Sequence, residues 1–580
     1  MFDLRAVKIV VLLLILSPLM VKMVYIDNVL YEQTGTRYFW AMSVLINDAI
    51  IFSGMILLFY LSYLHFMTRV GSIILRCLAL FAAFIYLIDI LIIINFNAHL
   101  VLGDVIKYAS YSLNYVQQIY SGKVWWPILI ALLTVVFLWL VVFSRYQIKG
   151  RHTHGYSITA IFVLFFVSYF AAGSNDQYVH SWAYKNVVDY NLVVLSESKA
   201  YSPQFVNDFS FDELQTCYSH VPEKRNVILL MVESLSSYQS HYFSGIRNWT
   251  PNLDEIARNN QSFHNFYANG FTTEDAEIAL LTGLLPIYSP SSYTDDGGVA
   301  FSGFFDIKVS LPNILREYGY TSEFLTTADL EFSNTRDWGM SIGFDYMEGQ
   351  EHLYYENWDR FHFNAAPDEA LYDRIFDRIE HNKETNFLLF IKTVSTHHPF
   401  INPENHKRSE AETFQYADKQ LGLFYDKLKA TGFFDDGLLI ILGDHRAMVP
   451  INAEEIDRFG AHKTVARVPM IVSYGDQNSE QVTGQYQQTD VFNFLKGLVL
   501  DTQCHSEWTG DIFSKKPAQY IAHRRGDHRN VVSIFADEEE YMVTLNGDQT
   551  RVTTHDPKDD EIRAHIVGKI NAARLSKNRE

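Results

Sequence analysis

The stretch TTEDAEIALLTG, Thr272 to Gly283, sets two adjacent hydroxyls ahead of three acids and an apolar helical run. Either threonine could cap the helix by accepting a free backbone N–H, and Glu274, Asp275 and Glu277 suit its positive end. A threonine here could also act as a nucleophile, provided a cation made loss of its proton accessible. Three other places offer ligands for such a cation. NVILLMV (226–232) runs into Glu233 and Ser234, and GLLIILG (437–443) runs into Asp444 and His445. NFLLFIKTV (386–394) runs into Ser395, Thr396, His397 and His398. Carboxylate oxygen and imidazole nitrogen suit Mn²⁺, Zn²⁺ or Mg²⁺, and the lack of cysteine ligands argues against a structural zinc site. A lone Glu after a strand is most often a cap or a surface charge; the weight comes from three runs delivering donors together.

These runs have the length and apolar character of buried strands, and PMIVSY (469–474) is a fourth. Helical patterns lie between them: PNLDEIARNN, PDEALYDRIFDRIEH (367–381) and FQYADKQLGLFYDKLKATG (414–432), the last stopped by Gly432. Strands alternating with helices predict a mainly parallel sheet covered by helices, with ligands gathering beyond the carboxyl ends of its strands. The tail DPKDDEIRAHIVGKINAARLSKNRE reads as one amphipathic helix with a frayed end.

TPNLDEIARNNQSFHNFYANG (250–270), ALLTGLLP (279–286) and LGDHR (442–446) resemble the sulfatase branch of the alkaline-phosphatase superfamily. That branch carries a nucleophile nine residues before the threonine of an L-T-G motif. Nine residues before Thr282 stands Thr273. The sulfatase pattern is otherwise broken, with Asp275 and Glu277 where proline and arginine are usual, so sulfate-ester hydrolysis is disfavoured. Threonine followed by x-D-A-E resembles the lipoteichoic acid synthase and phosphoglycerol transferase family. That resemblance implies one divalent cation, Mn²⁺ first with Zn²⁺ or Mg²⁺ as alternatives, held by Glu233, Thr273, Asp444 and His445. It makes Thr273 and His397 catalytic, and gives Asp329, Arg336 and His397 to substrate binding. Asn334 stands where the family usually has tryptophan, which puts the head group in question.

The implied reaction moves a phospholipid head group, phosphoglycerol from phosphatidylglycerol, through a phosphothreonine-type intermediate to an envelope glycan or lipid hydroxyl. A phosphoethanolamine transferase and a membrane-bound phosphodiesterase share the chemistry and stand as alternatives. A non-catalytic protein retaining the fold is a third reading, disfavoured because every ligand position is kept.

The N-terminal part supplies an anchor. Segments 6–26, 38–65, 71–96, 125–143 and 156–173 are each near or above the ~20 residues that cross a bilayer. Arg5 and Lys8, Arg69 and Arg76, and Arg145, Lys149 and Arg151 mark the cytoplasmic side, which leaves everything after about residue 174 outside. VIKYASYSLNYVQQIY, in the outer loop, could lie on the lipid surface. The expected organisation is a transmembrane domain (1–173), a connector (174–224) and an external catalytic domain (225–580), a multi-pass protein of a bacterial cytoplasmic membrane. Of 47 Lys and Arg and 66 Asp and Glu, only 11 and 6 precede residue 174. So acidic an outer part argues against nucleic acid as a partner. Cys217 and Cys504 are the two outer cysteines, and their proximity cannot be read from sequence. The run HRRGDHR (523–529) is either an anion-binding patch or a solvated loop. Asp48 and Asp89 fall inside spans, where an acid is costly unless partnered.

Overall fold

A computed structural model of the chain describes residues 18–28, 39–62, 68–96, 99–101, 185–196, 200–288, 301–475, 479–526, 530–536, 539–554 and 560–575. The chain divides into two compact units, one built from the first 195 residues apart from 106–115, with a short piece at 449–453, the other from the rest.

In the first unit, helices Phe39–Ser62 and Arg69–Phe96 pack side by side. Val44–Ser62 and Arg69–Ile94 are long and apolar enough to cross a bilayer, which is two spans among the described residues where the sequence suggests five. Of the first expected span, residues 18–26 are helical and the remainder is outside the described residues. The spans at 125–143 and 156–173 and the surface segment 105–120 also lie outside them. The two acids are partnered. Asp48 accepts from Lys22 Nζ at 2.9 Å and from Tyr86 Oη at 2.6 Å, while His99 Nδ1 stands 3.0 Å from Asp89. Pairing is the physical condition for keeping such groups among apolar helices.

The described residues of the second unit form fourteen strands: β1 (Thr216–Ser219), β2 (Asn226–Val232), β3 (Gln261–Tyr267), β4 (Tyr320–Thr326), β5 (Tyr346–Glu348), β6 (Asn386–Lys392), β7 (Gly437–Gly443), β8 (Met470–Tyr474), β9 (Glu480–Gln487), β10 (Thr502–His505), β11 (Tyr520–Arg524), β12 (Val531–Ala536), β13 (Glu539–Thr544) and β14 (Arg551–Thr554). Eight form one sheet in the order β5-β4-β6-β2-β7-β8-β3-β9. It is parallel except that β8 runs against both β7 and β3, so the sheet is mixed. A strand buried on both faces reads the same in either direction, which is why its reversal left no trace in the apolar run.

The three central strands β6, β2 and β7 are almost wholly buried, and Val227, Leu229, Met231, Leu388, Phe390, Leu438 and Ile440 share one core with the helices. Their register sets up everything beyond. Met231 lies opposite Lys392 and Val232 opposite Gly443, so the chain leaves three neighbouring strands at the same level. A four-stranded antiparallel sheet, β11-β12-β13-β14, packs with the terminal helix Asp560–Leu575 around Trp508, Ile566 and Ile570. Strands β1 and β10 pair antiparallel and carry the Cys217–Cys504 disulfide.

Candidate metal and nucleophile site

The two threonines divide the work at the head of helix Thr273–Thr282. Thr272 is the cap: its hydroxyl accepts the Asp275 N–H at 3.3 Å, and the Asp275 carboxylate accepts the N–H groups of Phe271 and Thr272 in return. Thr273, the first helical residue, has its hydroxyl released toward the sheet, at the positive end of the helix.

Glu233 and Asp444 follow Val232 and Gly443, partners on adjacent parallel strands, and therefore emerge side by side. The turn between is close-packed: a Cβ on Gly443 would collide with the Leu235 carbonyl. Each carboxylate has one oxygen held by the protein. Ser234 Oγ donates to Glu233 Oε1 at 2.7 Å, and the backbone N–H groups of Ser234 and His445 both donate to Asp444 Oδ1 at 2.7 Å. Ser234 is held at φ 56°, a costly conformation for a residue with a side chain, beside the first candidate ligand. Glu233 is fixed further by Thr393 and Thr396, from the chain leaving β6: its N–H donates to Thr393 Oγ1 at 3.0 Å and its carbonyl accepts from Thr396 Oγ1 at 2.5 Å.

The remaining oxygens converge. Thr273 Oγ1 lies 3.2 Å from Glu233 Oε2, 3.1 Å from Asp444 Oδ2 and 3.5 Å from His445 Nε2. His445 Nδ1 is 2.9 Å from the Arg446 carbonyl, so that nitrogen carries the proton and the Nε2 lone pair faces the cluster. Arg446 is itself locked by a two-pronged pair with Glu455, at 2.9 and 2.7 Å. Glu233, Asp444 and His445 are 5%, 0% and 2% exposed.

Two carboxylates and one hydroxyl proton leave this buried cluster short of positive charge. Burial and the neighbouring Glu233 push the Asp444 carboxyl up to about 7. Burial opposes ionisation of Glu233, but His397 and His445 bring its carboxyl below the usual range. Burial would lower the His445 pKa, and Asp444 and Glu233 raise it instead. Ligand atoms of Glu233, Asp444 and His445 all lie within 4.8 Å of one another, which fits a divalent cation of the hard to borderline kind.

The other expected residues fall differently. His397 is close enough for its charge to act on Glu233, and its ring meets Phe363 edge-on at 4.6 Å. His398 is buried and takes an Arg408 hydrogen bond at 3.0 Å. Asp329 accepts the Glu331 N–H at 3.0 Å, and Arg336 pairs with Glu331 at 2.9 Å and with Glu351. The structure does not bring Asp329 or Arg336 into contact with the Thr273 cluster.

Several contributors escaped the sequence reading. Asp368, at the start of helix Asp368–His381, accepts the Val394 and Ser395 N–H groups at 3.0 and 3.1 Å and shapes the loop before His397. Glu277, one helical turn beyond Thr273, makes a buried ion pair with Lys392 at 2.8 Å. Burial still lifts its carboxyl to about 7, with Lys392 acting against that rise. Acids at the first position of a helix or one turn into it are common, so of these two only Glu277, by the break in the sulfatase pattern, left any signal. The HRRGDHR run is not a free basic patch: His523 and Arg525 are buried and Arg524 pairs with Asp275, while 527–529 lie outside the described residues.

The family model described as Sulfatase matches residues 225–500. Phosphoglycerol transferase I of Escherichia fergusonii is 26% identical over 338 residues, 54% of this chain and 41% of that protein. Lipoteichoic acid synthase 2 of Bacillus subtilis is 25% identical over 345 residues, 55% of this chain and 52% of that protein. The chain thus spans about half or less of the length of these relatives. In three dimensions, a Vibrio parahaemolyticus protein of the alkaline-phosphatase superfamily superimposes with a TM-score of 0.51 at 20% identity, over 70% of this chain and 95% of that one. Residues 225–500 thus match the Sulfatase family model, and with the strand-end ligands and the threonine at the helix head the domain has an alkaline-phosphatase-like α/β fold.

Proposed function

We propose that this chain transfers phosphoglycerol from a phospholipid such as phosphatidylglycerol, through Thr273, to a hydroxyl of an envelope glycan or lipid. The observation that carries the reading is the position of Thr273 Oγ1, 3.1–3.5 Å from donor atoms on Asp444, Glu233 and His445. The names of the curated relatives, a phosphoglycerol transferase and a lipoteichoic acid synthase, support the substrate class.

Glu233, Asp444, His445 and Thr273 would hold one divalent cation, Mn²⁺ before Zn²⁺ or Mg²⁺, which when bound lowers the cost of ionising a hydroxyl and offsets phosphoryl charge. Thr273 Oγ attacks phosphorus and forms a P–O bond while the P–O bond to diacylglycerol breaks. His397 protonates the departing diacylglycerol oxygen. The acceptor hydroxyl then passes its proton to His397 and attacks phosphorus, and the bond to Thr273 breaks, leaving Thr273 Oγ ionised as it was before the first attack. Asp329 and Arg336 bind the head group in this reading, Arg336 by releasing its surface carboxylates to a phosphate or glycerol oxygen. The N-terminal helices hold the domain beside a donor that cannot leave the bilayer, with the N-terminus cytoplasmic and the catalytic domain outside. The disulfide favours that side, since such bonds persist in oxidising compartments.

The test uses the full chain with Mn²⁺ and head-group-labelled phosphatidylglycerol or phosphatidylethanolamine. Mass analysis of the trapped protein should find phosphoglycerol on Thr273 with the first lipid only, and none in Thr273→Ala, which keeps its metal. Turnover in Thr273→Ala, or label on another residue, overturns the reading.

A further inference from the structure

We infer that Arg524, at the end of β11 and outside the family-matched segment, is a positioning residue for Thr273. The inference rests on the role proposed above for that threonine. Asp275, wholly buried two residues beyond Thr273, receives one Arg524 nitrogen, Nη2, on both its carboxylate oxygens, at 2.8 Å each. The same carboxylate closes the capping box that ends the loop before Thr273. A Cβ on Gly270 would overlap Asp275, so loop and carboxylate are in direct contact.

The connection is wider than one ion pair. Arg524 N–H donates to the Asn269 carbonyl at 2.8 Å, Asn269 Nδ2 donates to the Ala522 carbonyl at 2.8 Å, and His523 Nδ1 is 2.8 Å from the Ala268 carbonyl. Segment 268–271 is thereby laid against the end of β11. Beyond Arg524, a Cβ on Gly526 would fall within the Phe271 ring, and Phe271 stacks on His445 at 6.2 Å. Phe271 thus touches both the β11 terminus and a candidate metal ligand. The small C-terminal sheet is built into the site from behind, through the loop that carries the nucleophile.

A buried carboxylate deprived of its cation relaxes toward water, which loosens the cap. A shift of the Thr273 hydroxyl by about 1 Å is enough to cost on the order of 100-fold in rate. Because a single nitrogen spans both oxygens, lysine can stand in for arginine here and methionine cannot.

The experiment measures the rate at which Thr273 acquires label from phosphatidylglycerol, using the full Mn²⁺-loaded chain, with Mn²⁺ affinity measured in parallel. Arg524→Met should slow adduct formation ~30- to 100-fold while holding Mn²⁺ affinity within about threefold, and Arg524→Lys should restore most of the rate. Asp275→Asn, nearly isosteric, gives the same slow reaction and serves where Arg524→Met does not accumulate. An unchanged rate in Arg524→Met or Asp275→Asn overturns the inference. So does a rate in Arg524→Lys as slow as in Arg524→Met, or a loss of Mn²⁺ affinity in step with rate. Wild-type protein that forms no adduct on Thr273 overturns the functional reading itself, and this inference with it.

Discussion

The Thr273 cluster and the Asp329–Arg336 region were assigned to one reaction, yet they are built in opposite ways. The first gathers at the ends of β2 and β7, on strands buried over nearly their whole length, and its Glu233, Asp444 and His445 are almost fully covered. The second lies after β4, in a loop and the head of the short helix Thr335–Ser341, where Arg336 is 30% exposed and engaged by two surface carboxylates. Strand register fixes the first to within a hydrogen bond. The second depends on side chains that can exchange partners. On the proposed function, chemistry that tolerates little displacement would sit on the rigid part and recognition on the adjustable part.

The largest test of this contrast is Thr273→Ala, which should lower turnover about 10⁴-fold or more with the fold intact by circular dichroism. Asp444→Asn comes next: Mn²⁺ affinity should fall ~100-fold, read by calorimetry, because a charged ligand becomes neutral without changing shape.

The rigid side is then probed through Glu277 and Lys392. Lys392→Met leaves the wholly buried Glu277 carboxylate without its counter-charge and should destabilise the domain by about 3 kcal/mol in urea unfolding above pH ~7. The pair also sets a pH dependence. The Glu277 carboxyl rises from 4.5 to about 7 on folding, so the folded state binds the extra proton between those values. Its contribution to stability is complete below about 4.5 and is lost as pH climbs toward 7, at up to about 1.4 kcal/mol per pH unit. The double variant Glu277→Gln, Lys392→Met should flatten that slope.

The smallest effect belongs to the adjustable side. Arg336→Ala should raise KM for phosphatidylglycerol about 3- to 10-fold and leave Mn²⁺ affinity unchanged. A loss in kcat approaching that of Thr273→Ala would erase the distinction between the two regions.

The same contrast explains what was legible in the sequence. Strands 226–232 and 437–443 were bounded correctly from their apolar runs, and the acid following each is where a parallel sheet gathers ligands. Thr273 was legible through its spacing from Thr282. Helix 414–432 was seen, although it begins at Glu410, because polar residues of a first turn carry no apolar period. The reversal of β8 and the Asp275–Arg524 pair are invisible in the sequence, and Cys217 and Cys504 can be named as the outer pair but not brought together. Each joins segments far apart in the chain, and no local pattern encodes such a meeting. The HRRGDHR run misled for that reason: its charge is conspicuous in one dimension and consumed in three.

The alignment of Val232 with Gly443 has a further consequence for how this domain reaches its final form. A slip of β7 by a single residue would carry Asp444 out of reach of Glu233 and turn its side chain to the other face of the sheet. Only one alignment leaves two carboxylates and an imidazole able to share an ion. An ion that binds that alignment alone would stabilise it by mass action, so metal supply during maturation would select the correctly paired sheet.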